Sequence, residues 1–367
     1  MMDVYRCINS DIVKFDFAVL HDGVHFFDKE VYDKGSKKNL LPDPRAGFLK
    51  NYRALVRFFK ENQHFQAVHT HVSWYGGVVL LAAKRSGIKI RIAHARDAGV
   101  PNISLKEKII RNIGKVLIGV SATQKIAISE EAAKNVFGKR TVRKNNYLFV
   151  PNSIDQKKYR VLDEARRKEL RKKLGIDDNT KAYVTVANLR KQKNHMFLID
   201  IAHSLKDKGD NFHLFLIGEG VLREEIEKKI LDLDLKEYVT LLGTRDDVPD
   251  ILCAFDAMIF PSFFEGLGGV VLETQLVGVP AIVSDGIPKA VDVGINMVDY
   301  VSLDESPIYW ADTIINKTNS YTWNHDDALE AFRKKGYIIE QTARKYLEEY
   351  GIDTKTIDLA LKNKEEE

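Results

Sequence analysis

Cysteine is scarce in this sequence. The 367 residues include two, Cys7 and Cys253. Two cysteines cannot build the disulfide framework on which small secreted domains depend, and a chain with so few is typical of a reducing compartment. We therefore expect a cytoplasmic protein.

Long apolar runs are also missing. No stretch approaches the 18 or so consecutive apolar residues that a membrane-spanning helix needs. The first residues include Asp3, Arg6, Asp11 and Lys14, where a secretory signal would need an apolar core. Any contact with a membrane is therefore expected to be peripheral, at its inner face.

Neither sign of charge dominates. The chain has 56 basic and 52 acidic residues, a formal net charge of +4. So small an excess does not require a nucleic-acid partner. The basic residues also lack the interleaved aromatic residues on which bases stack, so no nucleic-acid binding is expected. The length and the 44% hydrophobic content predict a globular protein of two domains.

One stretch of the second half carries the strongest pattern. The apolar run Ala257–Phe260 predicts a buried parallel strand, followed by a loop with Glu265, Gly268 and Gly269 and then by a helix with Glu273. Glycines before a helix allow close backbone approach, and N–H groups at a helix start attract anions, phosphate above all. The combination predicts a phosphate-binding site bracketed by two carboxylates.

The spacing of the two carboxylates limits their chemistry. Eight residues of helix rise about 12 Å, far more than the ~5 Å between the two carboxylates of a retaining glycosidase. Glu265 and Glu273 are therefore expected to hold two ends of one elongated ligand. The alternative for either residue alone is a helix-start acid or a solvated helix acid.

This string of residues resembles the retaining glycosyltransferases of the GT-B fold, family four (group 1 type). The resemblance implies an α/β protein with two Rossmann-like parallel-sheet domains facing a cleft. It implies that Glu265 faces the donor sugar and that Glu273 holds the nucleotide ribose. Pro288-Lys289 and the later Trp310 resemble the branch that builds bacterial capsular polysaccharide and exopolysaccharide.

A second motif follows the first strand of the second half. The family has a Gly-Arg-Leu loop there with a Lys five residues after the Arg, both binding the donor diphosphate. Lys193 matches that Lys, whereas Asn188 stands at the Arg position and Arg190 could supply the missing cation. The alternative is a solvated basic turn.

Three further positions match the family. Gly218 resembles its Gly-x-Gly strand end, and Arg245 lies in the turn that faces the nucleotide base. His94 ends a predicted strand and matches a family histidine that contacts the donor sugar, so the resemblance gives it a catalytic role beside Glu265. A lone histidine at a strand end is otherwise more often a structural residue.

A metal site is not expected. His69 and His71 lie on one face of a predicted strand with His64 nearby, which makes zinc conceivable. No cysteine or carboxylate with ligand spacing accompanies them. We expect metal-independent chemistry with no cofactor beyond the nucleotide-sugar donor, which is expected to be linked to UDP.

Alternating strands and helices divide the chain. Residues 1–156 are predicted to form the acceptor-side domain and 157–335 the donor-binding domain, with helices in 336–367 packing back toward the first domain. Residues 157–173 include a basic run, interpreted as a solvated face rather than a membrane-binding segment. The family's opening strand and glycine-rich loop have no counterpart before Phe15, so the first sheet is expected to lack a central strand.

The sequence therefore predicts a retaining glycosyltransferase that moves a sugar from a nucleotide diphosphate to a glycan or lipid-linked glycan in surface polysaccharide synthesis. Two alternatives remain open. One is a nucleotide-sugar-binding protein without turnover, because the donor half matches the family better than the acceptor half. The other is a nucleotide-sugar epimerase.

Overall fold

The computed structural model describes residues 1–43, 47–97, 99, 103–159 and 161–361. Its chain divides into two compact units. One comprises Met1–Ser153 and Gly336–Glu367, and the other comprises Ile154–Lys335. The first boundary lies close to residue 156, the end of the first domain in the sequence analysis.

The first unit has two separate parallel sheets. A two-stranded sheet pairs the first two strands, and a four-stranded sheet takes the next four in chain order. These strands are β1 (Phe17–Val19), β2 (Lys38–Leu40), β3 (Ala67–Thr70), β4 (Ile90–Ala95), β5 (Gln124–Ala127) and β6 (Leu148–Phe149). Among the described strands, β3 pairs only with β4, so one of its edges has no strand partner.

Helices alternate with these strands. They are α1 (Met2–Cys7), α2 (Asp28–Asp33), α3 (Phe48–Glu61), α4 (Gly76–Arg85), α5 (Leu105–Ser121), α6 (Glu130–Phe137) and α7 (Lys139–Arg143). Helix α5 begins at a capping box, in which Ser104 Oγ accepts from Glu107 N while the Glu107 carboxylate accepts from Ser104 N. The sequence pattern did not predict α2, β2 or α7, which are short and carry little apolar periodicity.

The second unit is built on one six-stranded parallel sheet. Its strands are β7 (Lys181–Val186), β8 (Phe212–Ile217), β9 (Val239–Gly243), β10 (Ala257–Phe260), β11 (Ala281–Ser284) and β12 (Val298–Val301). Their order across the sheet is β12-β11-β10-β7-β8-β9. The strands β7 and β10 are therefore neighbours, so the loops that leave their carboxyl ends lie side by side.

Helices cover this sheet, and the core below them is apolar. They are α8 (Glu164–Lys173), α9 (His195–Asp207), α10 (Arg223–Asp232), α11 (Val248–Ile251), α12 (Gly269–Leu276), α13 (Pro307–Ser320) and α14 (His325–Lys335). Leu198, Leu214, Ile259 and the large side chain of Trp310 are fully buried together. The predicted alternation of strands and helices, and the parallel direction of the strands, are confirmed in both units.

The last two helices belong to the first unit. They are α15 (Ile339–Glu349) and α16 (Thr354–Leu361). Tyr346 and Leu347 of α15 and Ile357 of α16 pack in one core cluster with Val4 of α1 and Ile92 of β4. The chain therefore returns to its first unit after completing the second.

The basic run in residues 157–173 is only partly solvated. Arg171 is 5% exposed and donates to Asp256 Oδ2 at 3.1 Å and to the Thr180 carbonyl at 2.5 Å. Asp256 also accepts from Arg167 at 2.8 Å and from Ala182 N at 2.7 Å. For Arg171 and Arg167 the expectation of a solvated face was wrong, because Asp256, more than 80 residues away in the sequence, pairs with both.

Among the described residues, no helix is both long enough and apolar enough to cross a bilayer.

Candidate functional site

The loop after β10 is tied to the loop after β7. Phe263 N donates to the Gln192 carbonyl at 2.9 Å, and the Gln192 side chain donates to the Phe264 carbonyl at 2.8 Å. The hydroxyl of Ser284, at the end of β11, donates to the Ser262 carbonyl. Three neighbouring strands thus hold the loop that carries Glu265.

Two glycines permit close backbone approach around these loops. A Cβ atom on Gly286 would lie 2.2 Å from the Phe263 carbonyl oxygen. One on Gly218, at the end of β8, would lie 2.1 Å from the Ala187 carbonyl oxygen. Both distances are far below van der Waals contact, and Gly218 also has a φ of +138°, which disfavours any other residue. The backbone path at the sheet edge therefore depends on glycine.

Glu265 and Lys193 form an ion pair. Their Oε1 and Nζ atoms lie 2.5 Å apart, with side chains only 10% and 18% exposed. The Lys193 ammonium also lies 4.9 Å from the centre of the Phe260 ring, a cation–π contact from the end of β10. The carboxylate and the cation that the sequence assigned to sugar and diphosphate are thus direct partners. A ligand phosphate at Lys193 would have to share it with Glu265.

The helix α12 begins beside this pair. Gly268, with a φ of +90°, is its N-cap, and Gly269 is its first residue. The first turn of a helix has N–H groups without intrahelical acceptors and carries a partial positive charge. Glu273 lies half-buried one turn further on. Because only the part from Gly269 onward is helical, the argument that eight residues of helix separate Glu265 from Glu273 was wrong.

Asn188 and Arg190 are exposed on the loop after β7, on either side of the buried Leu189. Leu189 anchors this loop, since its N–H donates to the Glu219 carbonyl at 3.0 Å and its carbonyl accepts from Leu222 N at 3.1 Å. Among the described residues, none forms an ion pair with Arg190. Its guanidinium is therefore available to an anionic ligand.

Arg245 already has a carboxylate partner. Its guanidinium makes a bidentate pair with Asp247, at 2.8 and 2.6 Å. Gly243, two residues earlier, accepts through its carbonyl from Gly218 N at 2.8 Å. The Asp247 pair leaves Arg245 less free to meet a ligand than Arg190, so contacts from this turn would come mainly from its backbone.

Three histidines gather in the first unit. His69 of β3 and His94 of β4 lie on neighbouring strands, with His69 Nε2 3.1 Å from His94 Nδ1. His71 stacks on His69 at 4.4 Å between ring centres, and His69 Nδ1 meets the Tyr350 hydroxyl at 2.7 Å. One nitrogen from each imidazole lies within 4.8 Å of the other two. His64 does not join this histidine cluster; its ring lies 4.4 Å from the Phe65 ring, tilted by 48°.

Burial keeps these imidazoles neutral. Desolvation, with the charge of Arg96 adding to it, lowers the pKa of His69 to about 3 and the pKa values of His71 and His94 well below the usual value. His71 Nδ1 and His94 Nε2 are buried without a hydrogen-bond partner. Sequence reasoning missed the link between the His-x-His pair and His94, although all three end adjacent strands.

The histidine cluster could supply three nitrogen ligands, the number found in a three-histidine zinc site. The donor set contains no carboxylate, and the nearby charge of Arg96, whose guanidinium donates to Asn152 at 2.6 Å, opposes a dication. The same polar, positive surroundings suit an anionic or hydroxylated ligand.

Comparisons with known proteins define the class. The sequence profile of the family described as "Glycosyl transferases group 1" matches residues 166–316, which lie in the second unit. A Bacillus subtilis (strain 168) protein named as a glycosyltransferase, EpsF, is 30% identical over 359 residues, which cover 96% of this chain and 92% of EpsF. The chain therefore belongs to the group 1 glycosyltransferases, and the predicted family is confirmed.

Two further comparisons concern one relative in sequence and one solved structure. An Escherichia coli enzyme, UDP-Gal:alpha-D-GlcNAc-diphosphoundecaprenol alpha-1,3-galactosyltransferase, is 27% identical over 246 residues, 65% of this chain and 62% of the enzyme. The crystal structure of Anabaena Alr3699/HepE in complex with UDP superimposes with a TM-score of 0.75 at 18% identity, covering 90% of both chains. This second likeness concerns the fold, and the expected GT-B fold is confirmed.

The neutral histidines predict a pH dependence of stability. An unfolded histidine has a pKa near 6.5, so the unfolded chain takes up protons before the folded one as the pH falls. The contribution of these histidines to the free energy of unfolding is therefore fully present above about pH 6.5. It is lost progressively as the pH falls from there toward 3. Each histidine of the cluster contributes up to about 1.4 kcal/mol per pH unit. In urea unfolding between pH 7.5 and 5, His71→Asn should reduce the slope of the free energy of unfolding against pH. An identical slope in His71→Asn and the unsubstituted protein would contradict the assignment.

Proposed function

We propose that this glycosyltransferase moves a sugar from a nucleotide diphosphate, with UDP as the nucleotide, to a glycan or a lipid-linked glycan in surface polysaccharide synthesis, with retained anomeric configuration. The observation that carries the proposal is the Lys193–Glu265 ion pair at adjacent strand ends, beside the start of α12. The named substrates of the E. coli relative, a UDP-linked sugar and a diphosphoundecaprenol acceptor, support the donor and acceptor classes.

The donor diphosphate meets positive groups in this arrangement. Lys193 and Arg190 come from the loop after β7, and the Gly268–Gly269 helix start contributes backbone N–H groups. Such preorganised donors stabilise the negative charge that develops on a leaving diphosphate. Lys193 binds the phosphate while still paired with Glu265, so the carboxylate is held where it can orient the sugar.

The other assigned residues act at the two ends of the donor. Glu273 accepts hydrogen bonds from the ribose hydroxyls, and the turns at Gly218 and Arg245 line the nucleotide through their backbone. Asn188 lies beside the diphosphate without adding charge. His94, kept neutral by burial, keeps the role that the family resemblance implies, a contact with the donor sugar.

The reaction is a same-face displacement. The bond between the anomeric carbon and the diphosphate oxygen breaks as a bond from the acceptor oxygen forms on the same face. The acceptor hydroxyl proton passes to the leaving phosphate, so no protein base is needed. With a lipid-linked acceptor, this transfer takes place at the inner face of the membrane.

Loss of Lys193 should weaken donor binding. Lys193→Ala should raise the Kd for UDP-sugars by roughly 10- to 150-fold, because a charge-assisted hydrogen bond contributes about 1.5–3 kcal/mol. Binding can be followed by thermal shift, since donor at 100 times Kd adds about 2.7 kcal/mol of stability. Lys191→Ala, an exposed neighbour, is the matched control. An unchanged Kd in Lys193→Ala would remove this residue from the site.

Substitutions of Glu265 and Glu273 should have different effects on UDP binding and on turnover. Glu273→Gln should weaken binding of free UDP, because it acts on the ribose. Glu265→Gln should leave UDP binding nearly unchanged, because the amide oxygen can still accept from Lys193, and should lower turnover, because Glu265 acts on the sugar. Isothermal titration with UDP, beside turnover with UDP-sugars, distinguishes the two. Loss of UDP binding in Glu265→Gln would show that the roles are reversed or wrong.

Transfer should not depend on a divalent metal. Lys193, Arg190 and the start of α12 supply the positive charge that a metal gives in other transferases. Turnover measured after dialysis against EDTA should match that of the untreated enzyme. A loss of turnover that added Mg²⁺ or Mn²⁺ restores would contradict the metal-independent mechanism. It would not affect the proposal that the donor is a nucleotide sugar.

A further inference from the structure

The helix α5 exposes an apolar stripe on its outer face. Five large apolar side chains, spaced four, four, three and four residues apart, are each between 52% and 73% exposed: Leu105, Ile109, Ile113, Val116 and Val120. At 3.6 residues per turn, they fall within an arc of about 80° along a helix roughly 25 Å long. A solvated helix face would normally be polar.

The opposite face of α5 does the packing. Gly114, Ile118 and Ser121 are buried against the first unit. The capping box at Ser104 and Glu107 closes the helix start. The inner face of α5 therefore packs against the rest of the first unit. None of the described residues covers its outer face.

Basic side chains border the stripe. Lys106 lies along one side of it and Lys108 along the other, with the half-buried Lys115 next to Lys108. Among the described residues, none forms an ion pair with these three. The basic residues Arg167 and Arg171 of α8, in contrast, are paired with Asp256. Glu107, in the capping box, is the one acidic residue of α5.

We propose that this outer face of α5 is the surface by which the protein lies on an anionic phospholipid bilayer. Apolar side chains that enter the acyl boundary, flanked by lysine and arginine at headgroup level, characterise helices that lie in the plane of a membrane. A second copy of the chain fits less well, because a two-fold contact would bring the same basic borders together. The proposal concerns membrane attachment and does not depend on the proposed transfer reaction.

The test compares two matched double variants of the full chain. Ile109→Gln with Ile113→Gln removes the centre of the stripe and keeps residues that favour helix. Leu231→Gln with Ile308→Gln removes two similarly exposed apolar residues of the second unit and serves as the control. Circular dichroism and UDP binding check that each variant folds.

Binding to lipid vesicles is measured by sedimentation. The unsubstituted protein should bind vesicles of phosphatidylglycerol and phosphatidylcholine, bind pure phosphatidylcholine less, and lose binding as salt rises. The α5 variant should bind about tenfold more weakly or worse, and the control variant like the unsubstituted protein. Absence of vesicle binding, or equal binding by the α5 variant, would overturn the proposal. So would a dimer, detected by light scattering, that only the α5 substitutions dissociate.

Discussion

The ion pair between Lys193 and Glu265 is the interaction on which the candidate site depends. It joins the loops that leave two adjacent strands, β7 and β10, and its carboxylate is almost completely buried. A buried charge without its partner is costly, commonly 3–5 kcal/mol. The pair therefore fixes the position of both groups before any ligand arrives. Preorganisation of this kind is what makes charged groups effective against charge that develops in a reaction.

The two units carry different chemistry. The second presents Lys193 and Arg190 beside a helix start, which suits a diphosphate. The first presents three neutral imidazoles with Arg96 near them and no carboxylate in the cluster. Neutral imidazoles can donate to or accept from hydroxyl groups, whereas a cluster of carboxylates would repel a phosphorylated donor.

Much of the fold could be predicted from the sequence, because apolar runs and glycine or proline stops are local signals. The strand Ala257–Phe260 has the predicted bounds. The site residues were proposed from motifs, but their partnerships were not, since Lys193 and Glu265 are 72 residues apart. The same limit explains the paired Arg171. The apolar periodicity of α5 is visible in the sequence. Whether an apolar face is buried in the core or exposed can be seen only in the structure.

The most direct test of the account is the configuration of the product. The enzyme would be incubated with UDP-glucose, UDP-galactose or UDP-N-acetylglucosamine and a short prenyl-diphosphate-linked N-acetylglucosamine, and the new linkage examined by proton NMR. The account predicts release of UDP together with a new glycosidic bond that has the anomeric configuration of the donor. An inverted linkage would contradict the retaining mechanism. Tight donor binding without transfer to any acceptor would contradict the proposal that this protein transfers sugar. That result would favour a protein that only binds nucleotide sugars.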